Sequence, residues 1–242
     1  MKKLQGKTAV VTGGGSGIGL GIAVGLAEAG CRVLIAGRRE DQLVAVAHQV
    51  TPPFLYHCVD VADRESVKRL FEFANQQLGQ IDILVNSAGV NIKTRTMAEM
   101  TPEQWDHVLA INATGAYNCM HSVLPQMRQR QDGLIINISS IAGLRASALG
   151  GVAYAASKFA MAALGTAVGN ELANQGIRIT TVYPGEVDTP ILVHRPTPVS
   201  AERRASMLQP EDFAEVIVAI AALPPRAHVS DIIIKPTVQE FT

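Results

Sequence analysis

Tyr154 and Lys158, a phenol and an ammonium four residues apart in Tyr154-Ala-Ala-Ser-Lys158, are the side chains of this sequence best placed to do chemistry. On a helix that spacing puts both on one face. A free phenol, with a pKa near ~10, exchanges protons poorly at neutral pH, whereas a neighbouring positive charge favours its ionised form. The pair therefore offers an acid or base for proton transfer. Alone, the same spacing also describes a half-buried tyrosine beside a solvated lysine, so the rest of the chain has to decide.

A second constellation lies near the N-terminus. Thr12-Gly-Gly-Gly-Ser-Gly-Ile-Gly19 follows an apolar β-branched run and opens a helical stretch. Glycines there let backbone amides approach a phosphate, and the helix N-terminus adds partial positive charge. Gly13, Gly15, Ser16, Gly17, Ile18 and Gly19 thus form a candidate diphosphate site of a dinucleotide, with a spacing looser than the strict Gly-x-Gly-x-x-Gly pattern. At the end of the next strand, where a free ribose 2′-hydroxyl would call for Asp or Glu, the chain reads Ala36-Gly37-Arg38-Arg39. Arginine suits a 2′-phosphate, which favours NADP(H) over NAD(H); the plain alternative is two solvated arginines at a strand end. Asp60, with Val61 beside it, can accept from the adenine amino group. Asn86-Ser-Ala-Gly89, through Asn86, Ala88 and Gly89, would let backbone pack against the adenosine half.

The elements that must position these residues are legible as an alternation. Short β-branched runs at 8–12, 32–36, 54–59, 82–85, 134–138, 177–182 and 231–234 are separated by helical patterns at 17–29, 40–50, 63–78, 101–129, 152–174 and 210–223. Several of the runs are apolar on both faces, as a parallel strand covered by helices on each side requires. The expected fold is α/β: a single-domain, Rossmann-like, doubly wound parallel sheet of about seven strands, with ligands at the carboxyl ends of the strands. Thr101-Pro-Glu and Gln209-Pro-Glu-Asp read as helix starts with proline at the first helical position. The segment 190–207 has three prolines and no sustained pattern over its first half, and reads as a flap over the site or as a long surface loop.

Composition narrows the function classes. The 242 residues suffice for one domain, 1–242, with a full core. With 21 basic and 21 acidic residues the net charge is zero, so no general attraction to nucleic acid or to an anionic membrane is implied. The apolar stretch behind Lys2 and Lys3 is too short for a signal peptide, and Ala214 to Leu223 is too short to span a bilayer. Cys31, Cys58 and Cys119 are odd in number and widely spaced, which suggests core thiols in a reducing, cytoplasmic compartment. The histidines show no metal-ligand spacing, so no metal site is expected.

Taken together, the glycine motif at 12–19, Asn86-Ser-Ala-Gly89, Asn112, Ser139-Ser140, Tyr154-x-x-x-Lys158 and Pro184-Gly185 through Thr189 resemble the short-chain dehydrogenase/reductase family over nearly the whole chain. The resemblance implies hydride transfer to or from a nicotinamide and a catalytic set of Asn112, Ser140, Tyr154 and Lys158. The second serine of such a pair usually fills the role in the family, hence Ser140 rather than Ser139. It further implies that Asn112 anchors a water leading to Lys158, that Tyr154 and Lys158 also touch the cofactor, and that Pro184, Gly185, Val187 and Thr189 seat the nicotinamide half. The C-terminal stretch is similar to the branch of NADP-dependent 3-hydroxy acid dehydrogenases and carbonyl reductases.

The expected partner is a small-molecule carbonyl or alcohol; Arg145, Arg195, Arg203 and Arg204, basic residues near the site in sequence, suggest a small hydroxy or oxo acid, such as the 3-hydroxy acids of the resembling branch, with Glu186 counting against an anion. The plain alternative is that the flap arginines are solvated or pair with Glu202. Ketosteroid or general carbonyl reductase, 3-oxoacyl reductase and a non-catalytic dinucleotide-binding regulator stand as alternative functions. The 152–174 helix, small or apolar on nearly every side, would be covered by an identical subunit in a homotetramer or homodimer.

Overall fold

The computed structural model describes residues 2–51 and 53–240. The strands are β1 (Thr8–Thr12), β2 (Arg32–Gly37), β3 (Leu55–Cys58), β4 (Ile83–Asn86), β5 (Gly133–Ile138), β6 (Ile177–Pro184) and β7 (Asp231–Ile234). They form one parallel sheet in the order β3-β2-β1-β4-β5-β6-β7. Chain order reverses direction at β1, which pairs with both β2 and β4, Thr12 lying opposite Ala36 on one side and Asn86 on the other. Such a switch point opens a crevice at the carboxyl edge.

Burial on both faces explains the two-sided apolar runs. Val10, Leu34, Leu84 and Ile135 point to a core shared with Leu70, Phe71, Met120, Val123 and Leu172. Their neighbours Val11, Ile35, Val85 and Ile136 point the other way, onto Ile22, Leu26, Phe213 and Ile217. The residues of the second core come partly from α1 (Gly17–Glu28) and α8 (Asp212–Ala221); those of the first come from α3 (Arg64–Leu78), α5 (Gly115–Arg130) and α6 (Val152–Leu172). The remaining helices are α2 (Glu40–Ala47), α4 (Pro102–Leu109) and α7 (Ala201–Ala205).

Several boundaries differ from the sequence reading for physical reasons. The single helix expected over 101–129 begins with the capping box that Thr101 signals, Thr101 Oγ1 accepting from Gln104 N at 3.3 Å and Gln104 Oε1 from Thr101 N at 3.1 Å. It then passes through one π-helical turn, Ala110–Thr114, before continuing as α5. The last helix starts at Asp212 rather than 210, since Asp212 accepts from Gln209 N at 2.8 Å and closes a turn that leaves Pro210 outside. The 190–207 segment is more ordered than its prolines suggest. Pro190–His194 forms a 3-10 turn, α7 is capped by Ser200, and Leu192 and Met207 are buried.

Phe213 is fully buried among Ile22, Leu26 and Ile217 where α8 meets α1. Phe213→Ala should therefore destabilise the protein by about 3–5 kcal/mol, read as a lowered urea midpoint at unchanged slope.

Candidate active site

One cleft of about 950 Å³ runs along the carboxyl ends of the strands. Its dinucleotide end is shaped by backbone. Gly13 has φ +67°, and a Cβ there would come within 2.8 Å of the Ser87 and Ala88 backbone, so only glycine lets β1 and β4 loops meet this closely. Ser16 precedes α1 without capping it through its side chain, and the first-turn amides of Gly17 and Ile18 line the cleft. That is the arrangement in which a phosphate completes the helix. Arg38 and Arg39 line the far end, both exposed, and neither forms an ion pair among the described residues. Asp60 holds itself by accepting from Ala62 N at 3.0 Å. Gly15, Val61, Ala88, Gly89, Pro184, Gly185, Val187 and Thr189 also line the cleft.

Three of the expected site residues do not. Gly19 is buried in α1 behind the turn. Asn86 is buried beneath the loop, its Nδ2 donating to Asn137 Oδ1 at 2.9 Å. Asn112, wholly buried in the π turn, accepts from Val90 N at 2.8 Å and donates to Val90 O and Ser157 Oγ, each at 2.9 Å. A π turn inserts an extra residue into the helix and redirects a side chain; here it turns Asn112 onto the β4 loop.

At the other end, α6 brings Tyr154 and Lys158 to one face, as their spacing predicts. Lys158 is only 4% exposed; its Nζ donates to Ile138 O at 2.8 Å and lies 5.6 Å from the centre of the Tyr154 ring. Burial without an anionic partner draws its ammonium down to about 8. Burial raises the Tyr154 phenol, opposed by a hydrogen bond with the Ser140 hydroxyl and by the charge of Arg95. Arg95 is thus a cation near the phenol that the sequence reading did not name, while the Lys158 ammonium lies over the ring face and donates to a carbonyl. The two serines are also distinct. Ser139 Oγ is spent on Lys158 O at 3.0 Å, while Ser140 Oγ accepts from Ala142 N at 3.1 Å and keeps its proton for the phenol.

The flap arginines behave differently from the sequence expectation. Arg195 and Arg203 both bind Glu186, one on each carboxylate oxygen, and Arg204 lies 3.4 Å from Asp188. They pair with the loop after β6 rather than with Glu202; Arg195 is 17% exposed, whereas Arg203 and Arg204 stay open to solvent at 47% and 41%. Arg145 lines the cleft. Two contributors escaped the sequence reading, Arg95 and Gln239, which line the same cleft from an irregular loop and from the C-terminal segment. Neither belongs to a periodic segment that would have given its direction.

The profile of the short chain dehydrogenase family matches residues 7–198. An uncharacterised oxidoreductase of Staphylococcus saprophyticus is 36% identical over 240 residues, covering 98% of this chain and all of that protein. Among solved structures, a metagenomic short-chain oxidoreductase in complex with NADP is 30% identical with a TM-score of 0.84, covering 98% of this chain and 100% of its own. A 3-ketoacyl-(acyl-carrier-protein) reductase from Brucella melitensis complexed with NADH is 28% identical with a TM-score of 0.87, covering 97% of this chain and 98% of its own. The chain belongs to the short-chain dehydrogenase family and is an oxidoreductase.

The lowered Lys158 ammonium has a consequence for stability. Between about 8 and 10.5 the unfolded chain holds this proton and the folded chain does not, so the contribution of Lys158 to stability rises with pH. From pH 7.5 to 9.5 the parent should gain about 2 kcal/mol relative to Lys158→Met. Urea unfolding at the two pH values measures this; parallel behaviour of parent and variant would refute it.

Proposed function

We propose that this protein transfers hydride between NADP(H) and a carbonyl or secondary alcohol of a small molecule, with Tyr154 as the proton donor and acceptor. The observation that carries the reading is the Tyr154 phenol, bonded to Ser140 and stacked over buried Lys158, in the same cleft as the uncapped glycine-rich turn.

The nicotinamide, when bound, supplies or accepts the hydride. In the reductive direction negative charge grows on the substrate oxygen; Tyr154 delivers a proton to it, and the Ser140 hydroxyl, fixed by Ala142 N–H, steadies it. Lys158, its ammonium drawn down to about 8 by burial, stands beneath the phenol to carry positive charge as the proton leaves. Asn112 is a positioning residue, tying the Val90 segment to α6 through Ser157. The water-anchoring role implied by the family is an addition to bonds that its side chain already makes.

The cofactor choice rests on Arg38 and Arg39, because solved relatives carry NADP in one case and NADH in another. Both arginines lack an acidic partner among the described residues and stand where the adenosine ribose ends in a switch-point site. The 190–207 segment is the substrate flap in this reading. Cys31 and Cys119 are buried core thiols, whereas Cys58, at the end of edge strand β3, is exposed rather than in the core; free thiols support a reducing, cytoplasmic setting.

Oligomerisation follows from α5 and α6. By length and composition the stretch Val152–Gln175 is apolar enough to cross a membrane, yet it holds Lys158 and Ser157 in the interior of the sheet packing. Phe159 on α6 and Tyr117 on α5 are exposed by 42% and 44%. An identical subunit covering this face accounts for it, giving the homotetramer.

Fluorescence titration with NADPH and NADH, followed by turnover on 3-hydroxy acids, ketosteroids and small carbonyls, tests the function. NADPH should bind roughly tenfold or more tightly than NADH, an advantage lost in Arg38→Gln/Arg39→Gln. Tyr154→Phe should keep NADPH affinity and lower kcat by about 10²–10⁴-fold. Preference for NADH would overturn the cofactor assignment, and tight binding without turnover would favour a regulator. Light scattering at micromolar concentration should give a tetrameric mass that Phe159→Glu reduces; a monomeric parent would remove the tetramer.

A further inference from the structure

Arg95 occupies an unusual position. It lies in the loop between β4 and α4, half-buried at the mouth of the cleft, and its guanidinium joins three loops. Nε donates to Ile92 O at 3.0 Å in its own loop, one Nη to Leu149 O in the segment before α6, and the other to His194 O at 2.9 Å in the flap. All three acceptors are neutral backbone carbonyls. A guanidinium has five N–H donors, so one on each Nη remains.

The charge of Arg95 has no carboxylate partner among the described residues. Glu186, the carboxylate at this end of the cleft, has both oxygens occupied by Arg195 and Arg203, which leaves that cluster positive as well. Asp188 is taken by Arg204. Glu240, exposed at the cleft edge, makes no salt bridge with Arg95. Burial and the nearby Arg195 both lower the pKa of Arg95, and the phenol of Tyr154 is the group that raises it. A half-buried cation of this kind is costly when it stays uncompensated. Next to it, Leu149 and Val193 line the cleft while 51% and 60% exposed, a surface that an apolar chain would cover.

We propose that Arg95 receives the carboxylate of the substrate, so that the cleft takes a hydroxy or oxo acid whose apolar chain lies against Leu149 and Val193. This rests on the dehydrogenase reading above and names its substrate class. It also moves acid recognition from the flap arginines, each of which already meets a carboxylate of Glu186 or Asp188, to a residue outside the flap. The two free Nη donors suit a carboxylate, and the three carbonyl bonds fix the fork in advance, so little ordering is left for binding.

The test uses matched substrates differing only in charge: 3-hydroxybutyrate and 3-hydroxyhexanoate against their methyl esters, with 2-hexanol as a neutral alcohol, all with NADP⁺. The parent should favour each acid over its ester in kcat/KM. Arg95→Gln should raise the KM for the acids roughly 10–100-fold more than that for the esters, the loss of a charge-assisted bond, any effect through Tyr154 or the stapled loops being common to both. Arg95→Lys should fall between. Equal changes for acid and ester in Arg95→Gln would mean a loop staple only and overturn the proposal, as would a parent that prefers the esters. An unchanged thermal midpoint and NADPH affinity in Arg95→Gln would show that the acid effect is not misfolding; if both fall, the acid-to-ester ratio of Arg95→Lys decides by the same criterion. Turnover of 2-hexanol and the esters without the acids would overturn the Arg95 assignment and leave the dehydrogenase reading standing. No turnover of any of them would overturn both.

Discussion

The joint between β5 and α6 is the constraint on which the site depends. Lys158 makes it from both ends: its ammonium donates to Ile138 O, and its own carbonyl accepts from Ser139 Oγ. One residue of the helix is thereby stitched to two consecutive residues at the end of the strand. Ser140, next in line, is carried to the mouth of the cleft, and Tyr154, one turn earlier on α6, is set above the ammonium. Burying an ammonium with a single carbonyl partner costs several kcal/mol. The joint survives because the sheet on which it sits is packed on both faces by continuous apolar cores.

That same two-sided packing determines where the chemistry can be. A strand covered on both faces offers only its ends to a ligand. Because β1 pairs with β2 on one side and β4 on the other, the loops leaving these strands diverge at their carboxyl ends. The glycine-rich turn after β1 and the loop after β4 then meet across Gly13, while the loops after β5 and β6 build the opposite wall. The asymmetry of the cleft follows: one end is backbone amide and glycine, suited to phosphate, and the other carries titratable side chains.

Most of this frame was legible in the sequence, since it rests on local regularities. Short apolar or β-branched runs, several of them apolar on both faces, marked all seven strands, and helical spacing put Tyr154 and Lys158 together. The Thr101 capping box marked its helix start because both of its partners are local. What escaped was set by distant contacts. Asn112 faces inward because of a π turn, which leaves no mark in a helical pattern. The salt bridges of Arg195 and Arg203 depend on Glu186, placed by the end of β6 and held by Gln239 accepting from its backbone N–H at 2.9 Å. Arg95 acts on Tyr154 from a loop whose course is decided by the residues it crosses. Its three partners come from segments that share no periodicity with it.

The arginines at the cleft mouth divide by what compensates their charge. Arg195, Arg203 and Arg204 meet carboxylates of the loop after β6, so their charge holds the flap to the sheet rather than facing a ligand. The backbone N–H of the same Glu186 donates to Gln239 Oε1, and Lys235 donates to Gln239 O at 2.6 Å, so flap and C-terminal segment share one anchor. Arg95 instead touches the flap through a carbonyl, a contact that leaves its positive charge intact. Sequence position would rank the flap arginines first for recognising an anion. Charge compensation reverses that order, because an arginine already paired with a carboxylate has less to gain from a second one.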